Sequence, residues 1–366
     1  MAIINKAKET MTSKERVLKT FNFEKTDRVP IDFETNEGIY NRLLAAFGIK
    51  NKSLDDLLEQ LGVDFRRIRP RYKGPLLFKE LPGKRVDPVY GFYTEWVEHQ
   101  TGGYWDFCDF PLAGASDDEI ANFPVPNPDD FDYDEIGDFI KKNKNYALSI
   151  GDPGFSDNIN SLGRVMNMEN ILINLITEDE ATYTLMKRKN EMEIGIIERV
   201  LSRYKGQIDF VWFGEDLGTQ HSPMISLDLY RSALKPMHKQ FTDLAKAYNL
   251  PVMVHTCGSS SWAYEDFIEI GVNCIDTLQP EAANMSPKYL KDKFGGRLSF
   301  HGCISTAGPL AYGTTEEVTA YCKQTLEIMM EGYGYHFAPT HAIQDNSPVE
   351  NVIAMYQAAH DFGVYK

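Results

Sequence analysis

No run of ~18 or more uncharged apolar residues occurs in the 366-residue chain, which argues against a membrane-spanning helix. The opening residues, MAIINKAKETMTSKERV, lack an apolar stretch followed by a small-residue cleavage site, so no signal peptide is expected. Cysteine is scarce: the five present are scattered and too few for a disulfide framework. That usage suits a reducing compartment and predicts a cytoplasmic protein whose thiols are free to ligate a metal or to pack in a core. Positive charge is short as well. With 38 Lys and Arg against 53 Asp and Glu, the net charge of −15 speaks against nucleic-acid binding, where clustered cations must neutralise phosphates. No glycine fingerprint or P-loop follows the first apolar run, which weakens an open nucleotide-binding sheet. Repeats of the solenoid kind are also missing.

What the chain does have is an alternation of short apolar runs with longer amphipathic stretches. The runs predict strands at Val29–Phe33, Phe65–Arg69, Tyr146–Ile150, Phe210–Gly214, Val252–His255, Cys274–Leu278, Leu298–His301 and His336–Pro339. Capping boxes mark helix starts at Thr12 with Glu15, Thr314 with Glu317, and Ser347 with Glu350, the last with Pro348 in the first turn. Strands that alternate with helices imply a parallel sheet, and eight such units predict one α/β domain over residues 1–366, a (β/α)8 TIM barrel. The stretch from about residue 70 to 135 breaks the rhythm with aromatics, Gly and Pro (DPVYGFYTEWVEHQTGGYWDF). It predicts a hairpin-bearing insertion after an early strand. Its aromatics, Trp105 among them, either wall a substrate pocket or form the core of the excursion.

In such barrels the loops after the strands build the active site, so polar residues at strand C-termini matter most. After the fourth predicted strand comes Gly214-Glu215-Asp216-Leu217-Gly218-Thr219-Gln220, and the fifth ends in His255-Thr256-Cys257-Gly258. The last three end in Gln279-Pro280-Glu281, His301-Gly302-Cys303 and Pro339-Thr340-His341. His255 and Cys257 are two apart, so in extended chain both side chains can meet one ion, and imidazole with thiolate suits zinc. A catalytic zinc needs a third ligand. His341 is the first choice and Cys303 the second, with Glu281 a further oxygen donor. His301 and Cys303 repeat the spacing, so either two zinc sets compete or one pair is inert. The alternative for the first pair is a hydrogen-bonded core histidine beside a buried apolar thiol. Glu215 and Asp216 point to opposite sides, so one faces the pocket as an acid or base while the other meets backbone or a basic group. Asn36, after the first predicted strand, and Gln220 complete the expected substrate contacts with Trp105. Arg67, Arg69 and Arg71 share one strand face and are candidates to clamp a carboxylate, with Arg66 opposite. His99, His221, His238, His336 and His360 are assigned to structure, and Cys108, Cys274 and Cys322 to packing.

At these residues the chain resembles the uroporphyrinogen decarboxylase superfamily, and within it the zinc methyltransferases that work with corrinoid proteins. The likeness includes Glu15-Arg16-Val17, Thr26 to Pro30, Asp216-Leu217-Gly218, Leu234-Lys235-Pro236, His255 to Gly258, Gln279-Pro280-Glu281, Pro339 to Gln344 and Pro348 to Val352. The resemblance implies zinc held by His255 and Cys257. Where the family carries a further cysteine on the last strand's loop, this chain has His341. Replacing a thiolate with neutral imidazole makes the zinc a stronger Lewis acid, suited to an ether oxygen rather than a thiol. The expected function is methyl transfer from a small methylated substrate, an aryl methyl ether, to the cobalt of a corrinoid (cobalamin) carried by a partner protein. A homodimer is compatible with this. Methyl transfer from a methylcorrinoid to a thiol, metal-free decarboxylation and a non-catalytic zinc- or corrinoid-binding module are the alternatives. The acidic Asp32-Phe33-Glu34 stretch suits a polyanionic decarboxylase substrate poorly.

Overall fold

Runs rich in Val, Ile and Phe, bounded by polar turns, build the central sheet of this computed structural model, which describes residues 1–99 and 102–366 without the His99 side chain. The reading of His99 as structural thus lies outside the described residues. The strands are β1 (Phe65–Ile68), β2 (Ala147–Gly151), β3 (Phe210–Gly214), β4 (Val252–His255), β5 (Cys274–Leu278), β6 (Ser299–Ile304) and β7 (Tyr335–Pro339). They pair in chain order, each parallel to the next. Every residue of β2 to β7 is buried, as a parallel sheet covered on both faces requires. Among the described residues no helix is long and apolar enough to cross a membrane.

Among the described residues the sheet has seven strands, not the eight expected. Val29–Phe33 is no strand, because only its Asp32 N–H donates into the sheet, to Phe337 O at 2.9 Å. Pro30 has no N–H, the Val29 N–H donates to Gly363 O at 2.8 Å, and the Ile31 N–H donates to the Asp64 carboxylate at 2.8 Å. One isolated parallel bridge remains, from Ile31 to Phe337 of β7. The segment still lies along both edges of the sheet. Phe337 N–H donates to Pro30 O at 2.7 Å, and Asp64 N–H donates to Ile31 O at 2.8 Å.

Two of the three capping boxes form, at Thr12 and Thr314. The third does not. The last helix, Val349–Phe362, starts with Pro348 itself as N-cap in an extended conformation, and the Ser347 hydroxyl has no partner among the described residues. Helix α1 (Ser13–Phe21) sends Val17 and Phe21 into an apolar cluster with Phe65, Phe210, Trp212 and Met253, at the N-terminal ends of the strands. That floor leaves the C-terminal ends for polar residues. Residues 70–135 contain a three-stranded antiparallel sheet of Lys84–Val86, Tyr93–His99 and Gly102–Cys108. In it Trp105 packs on Trp96 (5.7 Å between ring centroids) and lies under Arg85 at 3.7 Å.

Candidate metal centre

His255 closes β4, and Cys257 follows on the loop with its Sγ 3.4 Å from His255 Nε2. From the end of β3, Asp216 reaches across. Its Oδ1 accepts the Cys257 N–H at 2.7 Å and lies 3.8 Å from His255 Nε2. The ligand atoms of Asp216, His255 and Cys257 all lie within 4.8 Å of one another. The two loops meet backbone to backbone, which demands glycine. Gly258 has φ +70°, and a Cβ there would sit 2.1 Å from the Gly218 carbonyl oxygen.

The far side of His255 is equally fixed. Its Nδ1 donates to Asp276 Oδ2 at 2.7 Å, with the Thr277 hydroxyl oxygen 2.6 Å from the same nitrogen. Thr277 stands at an irregularity in the β5–β6 register with φ +63°, a conformation that a β-branched residue adopts only under constraint. These contacts turn Nε2 toward Cys257 and Asp216. The other Asp276 oxygen lies 2.7 Å from His301 Nδ1, and His301 Nε2 lies 3.1 Å from Asp32 Oδ2. Arg67 Nη2 donates to that same Asp32 oxygen at 3.0 Å.

Charge follows from this packing. Burial alone would raise the Asp216 carboxyl, but His255 and hydrogen bonds from Cys257 and Asn160 hold it below the ordinary range. Burial opposes a charge on His255, yet Cys257 and Asp276 raise its pKa well above the usual value. Burial pushes the Cys257 thiol up to about 12. A metal that takes the imidazole and the thiolate must therefore displace the protons that these two groups hold. Below both pKa values each displaced proton gives a tenfold gain per pH unit, so zinc affinity is expected to rise by up to about 100-fold per unit. Calorimetry in buffers of different ionisation enthalpy would count the protons. An affinity flat with pH would contradict the two-proton state.

The remaining expected residues are placed as follows. Glu215 turns away from Asp216 and accepts the Asn158 and Ile159 N–H groups at 3.1 and 2.9 Å, at the start of helix Asn158–Met166. It is fully buried, and burial pushes its carboxyl up to about 8. His341 is exposed, with its ring centroid 6.3 Å from that of His255. Glu281 is exposed too, and neither belongs to the close group of three. Cys303 is buried in the apolar core at φ +69°, and both nitrogens of His301 face carboxylates. That second pair is therefore no metal set. Gln220 is exposed, and its carbonyl accepts the Ala283 N–H at 3.0 Å. Asn36 caps the helix Glu37–Phe47 and lines a cleft of about 580 Å³ together with Asp32, Tyr40, Phe65, Arg67 and Phe139. Arg67, Arg69 and Arg71 each meet a protein carboxylate, at 3.0, 3.9 and 3.3 Å, so no bare clamp forms.

Sequence reasoning missed Asp276, Asp32, Thr277 and the linking part of His301. One signal was available. A carboxylate in the middle of the apolar strand Cys274–Leu278 must be buried and needs a cationic partner.

A parallel, barrel-like sheet with Asp, His and Cys gathered at strand C-terminal ends defines an α/β-barrel-like protein whose candidate metal centre lies where barrel enzymes carry their chemistry. The family model described as Uroporphyrinogen decarboxylase (URO-D) matches residues 163–362, and the chain belongs to that family. Among solved structures it is similar in fold to a methyltransferase from Methanosarcina mazei. The TM-score is 0.65 and the identity 18%, over 96% of this chain and 99% of that one. No curated protein matches it.

Proposed function

We propose that this chain is a zinc-dependent methyltransferase that moves a methyl group from a small methylated substrate, an aryl methyl ether, to the cobalt of a corrinoid on a partner protein. The observation that supports it is the convergence of Asp216, His255 and Cys257 within 4.8 Å, with His255 Nδ1 tied to Asp276. An imidazole held by a carboxylate on one nitrogen presents the other to a metal, a common outer arrangement of zinc sites. The donor set fits zinc: one nitrogen, one sulfur and one carboxylate oxygen. Asp216 takes the place that His341 was expected to fill. One thiolate instead of two keeps the shell hard, which suits an ether oxygen over a thiol. When bound, zinc supplies Lewis acidity that stabilises the negative charge on the leaving oxygen.

The residues around it have separate tasks. Asp276 and Thr277 orient His255, Asn160 holds the second oxygen of Asp216 at 2.7 Å, and Glu215 fastens the loop to the start of helix Asn158–Met166. His341, exposed beside His255, and Glu281 stand at the rim, where they can touch substrate. The test incubates zinc-loaded protein with an aryl methyl ether and cob(I)alamin and follows methylcobalamin by absorbance. Formation of methylcobalamin and the free phenol, lost when zinc is stripped and restored when it returns, is expected. No product from a panel of ethers, with methyl transfer instead to a thiol from methylcobalamin, would turn the reading to the thiol methyltransferase.

A further inference from the structure

We infer that His301 is a positioning residue for the metal centre: with Asp32 and Arg67 it locks Asp276 so that His255 presents Nε2 at a fixed angle. The inference rests on the reading of Asp216, His255 and Cys257 as ligands. It concerns a residue that the spacing alone marked as a possible ligand and that touches none of the three.

The geometry makes a chain of alternating charge through the barrel. Arg67 pairs with Asp32 at 3.0 Å, Asp32 with His301 at 3.1 Å, His301 with Asp276 at 2.7 Å, and Asp276 with His255 at 2.7 Å. Asp32, Asp276 and His301 are each 3% exposed, so the two links that His301 makes are little screened by water. A carboxylate turns readily about its last bond. Asp276 is denied that freedom, because Oδ1 takes both His301 Nδ1 and the Thr277 N–H (2.6 Å), which leaves Oδ2 for His255. The His301 ring is held edge-on by Phe65 and Trp212, with centroids at 5.5 and 6.0 Å. An imidazole between two carboxylates donates from both nitrogens. It thereby shares the charge of Asp276, which would otherwise fall wholly on His255 and change how strongly that ring donates to a metal.

Cobalt(II) is the probe, because its visible bands report ligand angle and donor strength. His301→Leu is expected to weaken Co(II) binding by about 10- to 100-fold, the cost of losing an outer partner, and to shift the bands. His301→Asn keeps one N–H directed at Asp276 and should recover most of the affinity. A general folding defect would not follow this order, and metal-free thermal unfolding of both variants is the check. Wild-type affinity and bands in His301→Leu would overturn the inference. The His255 Nδ1–H proton resonance of metal-free protein gives a second reading, which must move in His301→Leu if the coupling exists. A wild-type protein that takes no Co(II) but shows that movement would remove the ligand assignment and leave the coupling standing. No movement would remove the coupling.

Discussion

Cys257→Ala is expected to purify almost free of zinc, while the wild type carries about one ion per chain, as a catalytic site requires. The variant keeps His255 and Asp216, and two protein ligands fall short of the three that hold a catalytic zinc. The loss in affinity should exceed the ~100-fold that an outer partner costs, measured by competition with a chromophoric chelator. Corrinoid methylation should vanish with the metal. Cys303→Ala is the matched control. Its thiol is buried in the apolar core, so zinc content should stay at the wild-type level. A Cys257→Ala protein with a full complement of zinc would dismiss this centre, and zinc lost only from Cys303→Ala would transfer it to the second pair.

The largest effect on stability is expected at Asp64. This carboxylate is fully buried and meets Arg16 at 2.6 Å, Arg28 at 2.7 Å and the Ile31 N–H at 2.8 Å. Both arginines are buried too, so Asp64→Ala removes their shared partner and leaves Arg16 to Asp27 and Arg28 to the half-exposed Glu9. Breaking a buried pair in this way costs ~3–5 kcal/mol, which a urea midpoint measurement would read directly. A change under ~1 kcal/mol, the range of a surface pair, would mean that Asp27 and Glu9 suffice for the two arginines. The pH dependence has a definite sign. Burial would raise the Asp64 carboxyl, but Arg28 and Arg16 hold it below the ordinary range. Its stabilisation is therefore complete above the unfolded value of ~3.9 and is lost as pH falls through the lower folded value.

Much of this was legible in the residues. The seven sheet strands all overlap predicted runs, because parallel strands buried on both faces are short, apolar and bounded by turn residues. Val29–Phe33 reads the same way and fails for a reason outside its own pattern: an acceptor at Asp64 captures the Ile31 N–H. Likewise the two-residue spacing of His255 and Cys257 is readable, since it follows from extended geometry. What periodicity cannot supply is contact between loops of different strands. Asp216 lies 39 positions before His255, and its arrival beside Cys257 depends on the close passage of Gly218 and Gly258. His341 was the natural third ligand by position on the last strand, yet its side chain is exposed at the rim.

Asp32 belongs to the segment that runs along both sheet edges, and its carboxylate is also a link in the chain from Arg67 to His255. Seating of residues 29–33 and orientation of His255 are therefore two ends of one thermodynamic cycle. Whatever loosens residues 29–33 should lower metal affinity, and by reciprocity a bound metal should hold that segment more firmly. The amide hydrogens of Ile31 and Asp32 would then exchange more slowly in the loaded protein, although no ligand belongs to their segment.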